Sequence, residues 1–106
     1  TVRRLTAYRD AGADCLFAPG VTDRDTIAAL VRELHAPLNI LATPISPSVA
    51  ELAQLGVARI SVGGGLMRAA LGTTRRRLAD LRTNGRFDTL LDGAITHADM
   101  QHRYET

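Results

Sequence analysis

The chain has 106 residues, 45% of them hydrophobic and 23% charged, with a formal net charge of +2. That length allows one domain or less, and the apolar share can build a core, so a disordered tail is excluded. No apolar run approaches the roughly 18–20 residues of a membrane-spanning helix, no apolar segment follows the opening Thr1–Leu5 to make a secretory signal, and Cys15 has no second cysteine for a disulfide. A cytoplasmic protein with no membrane partner is the expectation.

Residues 1–11 read as a helix, with Val2, Leu5 and Tyr8 or Arg9 about one turn apart and Gly12 ending it. Only Thr1 precedes it as a cap, as if a portion upstream were missing. Residues 14–18, Asp-Cys-Leu-Phe-Ala, are a strand, and their apolar run does not alternate, as expected of a strand covered on both faces. Cys15 is read there as a buried small hydrophobe. Thr22 and Asp25 have the spacing of a capping box. Ile27, Leu30, Val31 and Leu34 then mark an amphipathic helix over 23–35, which Pro37 breaks.

Residues 38–42 are the second strand, followed by the proline-rich loop Thr43–Pro47. Two starts fit the next helix: Ser46-Pro47 as cap and first residue, or Ser48 with Glu51 as a capping box. Val49, Leu52 and Leu55 form its stripe, and Gly56 stops it. Residues 58–62 are the third strand. Gly63-Gly64-Gly65 opens a helix over about 66–82, ended by Thr83–Gly85. Phe87, Leu90 and Leu91 suggest a short helix, and 96–105 another.

Two stretches, Gly12–Gly20 and Gly56–Gly64, share one plan: Gly, short apolar segment, Gly. This is the pattern of helix, turn, buried parallel strand, loop, helix. Consecutive right-handed crossovers put their helices on one face of a sheet, leaving the other face bare. A (β/α)8 barrel closes that face with its remaining strands, and a full barrel takes about 250 residues. The fold class is therefore α/β: a C-terminal portion of a (β/α)8 barrel, about three βα units plus terminal helices. Residues 1–106 make a single partial domain, with strands near 14–18, 38–42 and 58–62 and terminal helices over 66–105.

Three segments carry a family resemblance: 7–20 (Ala-Tyr-Arg-Asp-Ala-Gly-Ala-Asp-Cys-Leu-Phe-Ala-Pro-Gly), 38–42 (Leu-Asn-Ile-Leu-Ala), and 47–64, ending Ala-Arg-Ile-Ser-Val-Gly-Gly. With Arg68–Gly72 and Leu90–Ala94, they resemble the isocitrate lyase / phosphoenolpyruvate mutase superfamily, in particular its 2-methylisocitrate-lyase-like and phosphonomutase-like members. The resemblance implies a barrel whose final helix is often exchanged within a dimer, hence a homo-oligomer through the C-terminal helices. It implies Mg2+-dependent cleavage or formation of a C–C or C–P bond in a small 2-oxo or 2-hydroxy carboxylate, through an enolate-like intermediate. The family's metal ligands and its catalytic loop cysteine belong to the N-terminal half and match nothing in this chain. Catalytic residues are thus expected upstream, and this chain alone is expected to be inactive.

Parallel βα folds place their chemistry beyond the C-terminal ends of the strands. The candidate substrate contacts are accordingly Thr43, Pro19, Gly20, Gly63 and Gly64. Thr43 offers a hydroxyl, or else only braces its loop before Pro44. Pro19-Gly20 shapes the mouth through backbone groups. Gly63–Gly65 offers amides to an anion at a helix start, or else only permits close packing.

No metal site is expected from His35, His97 and His102, which lack ligand spacing. Arg75–Arg77 reads as a solvated face or subunit contact rather than a nucleic-acid patch, since no aromatic interleaves with it. Two rivals remain: a phosphate-binding (β/α)8 enzyme of another class, and a non-catalytic half-barrel that self-associates.

Overall fold

The computed structural model describes residues 1–104. The order is α1 (Val2–Asp10), β1 (Leu16–Ala18), α2 (Arg24–Leu34), β2 (Leu38–Leu41), α3 (Val49–Gln54), β3 (Arg59–Ser61), α4 (Gly65–Asn84) and α5 (His97–His102). The chain divides into two units, Thr1–Leu66 and a second that begins at Met67.

In the first unit three strands form one parallel sheet in the order β1-β2-β3. Leu16 is level with Leu38, and Ala18 with Ile40 and Ile60. Side chains alternate across a sheet, so these residues share one face. That face meets Leu5 of α1, Ile27, Leu30 and Leu34 of α2 and Leu52 of α3 in the buried core. Each such leucine or isoleucine contributes about 1.5–3 kcal/mol by leaving water. Burial of Ile27, Leu30 and Leu34, with Val31 packed beside them, matches the apolar stripe read from the sequence.

The opposite face is not covered by α1–α3. Phe17 points there and is 45% exposed, as expected of the face that the remaining strands of a barrel would close. The non-alternating run arises because Ala18 and Leu16 pack inward while Phe17, though apolar, points the other way. Cys15 is exposed rather than buried. It precedes the paired residues, and its side chain shares the parity of Phe17.

Local chemistry sets the helix ends. The cap of α2 is Asp23, whose carboxylate accepts from the Thr26 amide at 2.8 Å and the Thr26 hydroxyl at 2.7 Å. The cap therefore lies one residue later than the Thr22–Asp25 pair suggests. For α3 the two starts resolve in favour of Ser48: the full capping box forms, with Glu51 accepting from the Ser48 amide at 2.8 Å. Helix α2 ends at His35, in the left-handed region at φ 47°, two residues before Pro37. Arg9 Nη1 from α1 donates to the Leu34 carbonyl at 2.7 Å and so ties off that end.

In the second unit α4 buries none of its side chains. Asp80 accepts from the Thr89 hydroxyl at 2.9 Å and from Asn84, and Arg77 reaches Asp92 at 3.7 Å. Residues 87–94 are successive turns, closed by Leu90 to Phe87, Asp92 to Thr89 and Ala94 to Leu91 bonds, where the sequence suggests a helix. Gly93 at φ 71° interrupts any helical continuation. Helix α5 starts at the Thr96 cap, whose hydroxyl accepts from the Asp99 amide. The expected end of this helix at residue 105 lies outside the described residues.

Candidate functional site

The parallel order brings the C-terminal ends of β1, β2 and β3 to one edge of the sheet. Thr43, Pro19 and Gly63 each follow their strand by one or two residues. Leu41 is level with Ser61, and the Ala42 amide continues the ladder onto the Ser61 carbonyl at 2.8 Å. Beyond that bond the two chains leave the ladder, with Thr43 and Gly63 each two residues past the end of its strand. Pro19-Gly20 forms the turn after β1, with Gly20 at φ 79°.

Thr43 is held by its own loop. Its amide donates to Ser46 Oγ at 2.9 Å, its hydroxyl lies 3.2 Å from the same oxygen, and Ser46 donates its amide back to the Thr43 carbonyl at 3.0 Å. This closed turn presents the Thr43–Ser46 hydroxyl pair together. The sequence offers Ser46 as one of two helix starts, and its place beside Thr43 follows from the Pro44 turn rather than from any motif.

Gly63 lies against Leu41: a Cβ there would come within 3.2 Å of Leu41 Cδ1, and φ is +50°. The glycine is required by packing and by backbone conformation. Of the three glycines, Gly65 has its amide bonded to the Val62 carbonyl at 2.9 Å, so the cradle offers fewer free amides than its sequence suggests.

On the sheet face away from the core lies an array that the sequence reading missed. Phe17, Asn39 and Arg59 share one row of the register. Asn39, at 1% exposure, is a buried polar side chain in an otherwise apolar strand. Its Oδ1 accepts from Arg59 Nε at 3.2 Å, and its Nδ2 donates to Ser61 Oγ at 3.2 Å. The Ser61 hydroxyl in turn lies 3.5 Å from the Ile40 carbonyl. The signal was present: Arg59 and Ser61 alternate with Ala58, Ile60 and Val62 at the period of a strand.

An open groove of about 760 Å3 runs along the free edge of β1, lined in part by Arg3, Arg4, Tyr8, Cys15, Phe17 and Pro19. Of the candidate contacts it touches Pro19 alone. Among the described residues no group of three or more His, Cys, Asp or Glu side chains could hold a metal ion. The strands carry no carboxylate at all. The described residues therefore offer no ligand cluster for Mg2+.

The sequence profile described as phosphoenolpyruvate phosphomutase matches residues 1–82. A Burkholderia cenocepacia J2315 structure, described provisionally as a lyase/mutase, superposes with a TM-score of 0.89 at 46% identity, over 100% of this chain and 38% of that one. The structure of 2,3-dimethylmalate lyase, a PEP mutase/isocitrate lyase superfamily member, gives a TM-score of 0.68 at 30% identity, over 80% of this chain and 32% of that one. An uncharacterized protein of Mycobacterium tuberculosis strain H37Rv is 44% identical over 63 residues, which are 59% of this chain and 24% of that protein. The chain thus spans about a quarter of the curated relative and about a third of the solved structures. With a parallel α/β sheet, three aligned strand ends and a family profile over most of its length, the chain belongs to the phosphoenolpyruvate phosphomutase family, within the PEP mutase/isocitrate lyase superfamily.

Proposed function

We propose that this chain forms the last three βα units of a (β/α)8 barrel in a lyase that cleaves or forms a C–C or C–P bond in a small 2-oxo or 2-hydroxy carboxylate. The observation that carries this is the one-sided sheet. Helices α1–α3 pack on one face, while Phe17 and the Asn39–Arg59–Ser61 array occupy the other. A barrel turns that second face inward. Family membership and the likeness to 2,3-dimethylmalate lyase support the reaction class.

On this reading Thr43 and Ser46 present hydroxyls at the mouth, Pro19-Gly20 and Gly63-Gly64 shape it, and the family's N-terminal half supplies the acid–base chemistry. A divalent metal belongs to the same reading, with its ligands outside this chain's described residues. The protein is a cytoplasmic homo-oligomer that associates through its C-terminal helices. Exposed Met67, Leu71 and Leu78 on α4 support that association.

The test is an assay of the full natural chain with Mg2+ and a panel of 2-hydroxy di- and tricarboxylates, reading release of a 2-oxo acid. Turnover that chelation abolishes and Mg2+ restores is the expected result. A folded protein with no turnover on any carboxylate, and a stable oligomer unaffected by metal, would instead favour the non-catalytic half-barrel.

A further inference from the structure

We propose that Arg59 is a carboxylate-binding residue, steadied by Asn39 and presenting the two terminal nitrogens of its guanidinium as a fork to one carboxylate group. Three observations meet here. Arg59 binds Asn39 through Nε alone, and among the described residues neither terminal nitrogen has a partner. Asn39 is fixed on both sides: the bond from its Nδ2 to Ser61 turns Oδ1 toward Arg59. The amide is thus held as an acceptor for a permanently charged donor. Finally, Arg59 is the one ionisable side chain on the three strands, so nothing on the sheet itself neutralises it.

The inference rests on the reading that this sheet face turns inward. A guanidinium enclosed in an interior is costly unless paired. Its planar fork matches a carboxylate bidentately, and fixing Nε on Asn39 removes part of the freedom that such a contact would otherwise quench. The carboxylate has two sources: an Asp or Glu side chain from elsewhere in the protein, or a small carboxylate ligand.

The experiment compares the full natural chain with Arg59→Met and Arg59→Lys, by calorimetric titration with malonate and by thermal melting from pH 7 to pH 4. If the carboxylate is a ligand's, Arg59→Met weakens malonate binding by about tenfold or more, and its melting curve stays parallel to that of the unsubstituted protein across pH. If it is a side chain's, Arg59→Met melts several degrees lower at pH 7. That gap closes on acidification, because a carboxylate paired with Arg titrates below its ordinary range and the pair is lost as pH falls through it.

The lowered carboxylates Asp23 and Glu51 sit at the starts of α2 and α3, which pack on the other face, and are present in every variant, so their titration cancels in the gap. Arg59→Lys keeps the charge, retains part of either effect, and carries both comparisons if Arg59→Met does not fold. A melting gap that does not change with pH, with malonate binding equal or absent in both proteins, overturns the proposal and leaves Arg59 as a brace for Asn39. Neither readout needs turnover, so an inactive protein would count against the proposed lyase and not against Arg59.

Discussion

The carboxylates of Asp23 and Glu51 show how single residues start helices in this chain. Hydrogen bonds from the Thr26 hydroxyl and amide hold Asp23 below the usual carboxylate range. The Ser48 hydroxyl and amide do the same for Glu51, with a smaller contribution from Arg24 3.4 Å away. A lowered carboxylate contributes stability above its ordinary range, and that contribution is lost as pH falls through the lowered value. Ser48→Ala removes the cap of α3 and is expected to destabilise by about 1 kcal/mol, read by urea denaturation at pH 7. Glu51→Gln should narrow the stability difference between pH 7 and pH 3, since the group that titrates is gone. An unchanged difference would show that the capping box does not couple to pH.

Helix ends and turns, at the scale of the element, are where the sequence was least legible. The three strands and the stripe of α2 were readable because apolar spacing repeats. The α2 cap was displaced by one residue because Thr22, Asp23 and Asp25 all suit a cap, and only the fold picks among them. The end of α2 was read from Pro37, but the chain turns at His35, where no sequence rule places a left-handed histidine. Phe87–Leu91 looked helical because its apolar spacing is right, yet Thr89 and Asp92 bond to Asp80 and Arg77 of α4 instead.

His35 gives this scale its prediction. A non-glycine residue at φ 47° carries strain that glycine does not. His35→Gly should therefore stabilise by roughly 0.5–1 kcal/mol. Arg9→Ala should act oppositely, leaving the Leu34 carbonyl without its 2.7 Å donor, at about 1 kcal/mol for this partly exposed charged bond. Denaturation midpoints of the two variants should move in opposite directions. If both fall, the helix end is held by side-chain packing of His35 rather than limited by its backbone.

At the scale of the whole molecule the bare sheet face was foreseeable, and the array lying on it was not. Crossover handedness alone puts α2 and α3 on one side. Asn39, however, is hidden in the sequence between Leu38 and Ile40, and its partners come from residues 20 and 22 positions away. Pairings that distant depend on strand order, which one sequence does not display. The residues that follow the strand ends were legible in position but not in bonding, since the Thr43–Ser46 turn and the Gly63–Leu41 contact are set by side-chain geometry.

Phe17 decides what that face is for. It is 45% exposed in the sheet described here and stands level with Asn39. A phenylalanine left half in water keeps only part of the roughly 1.5–3 kcal/mol of full burial, so its truncation would cost about 1 kcal/mol or less. Enclosed in a barrel interior, the same side chain would be packed on all sides, and Phe17→Ala would cost about 3–5 kcal/mol through lost transfer and a cavity. The two expectations differ by far more than denaturation experiments confuse. The barrel reading predicts the large loss in the full natural chain with unchanged oligomer size. A loss of under 1 kcal/mol would mean that this face stays open to solvent. A large loss accompanied by dissociation to monomers would mean that a second copy covers it. Phe17 is thus the residue at which barrel closure, open sheet and self-association give three different combinations of stability and oligomer size.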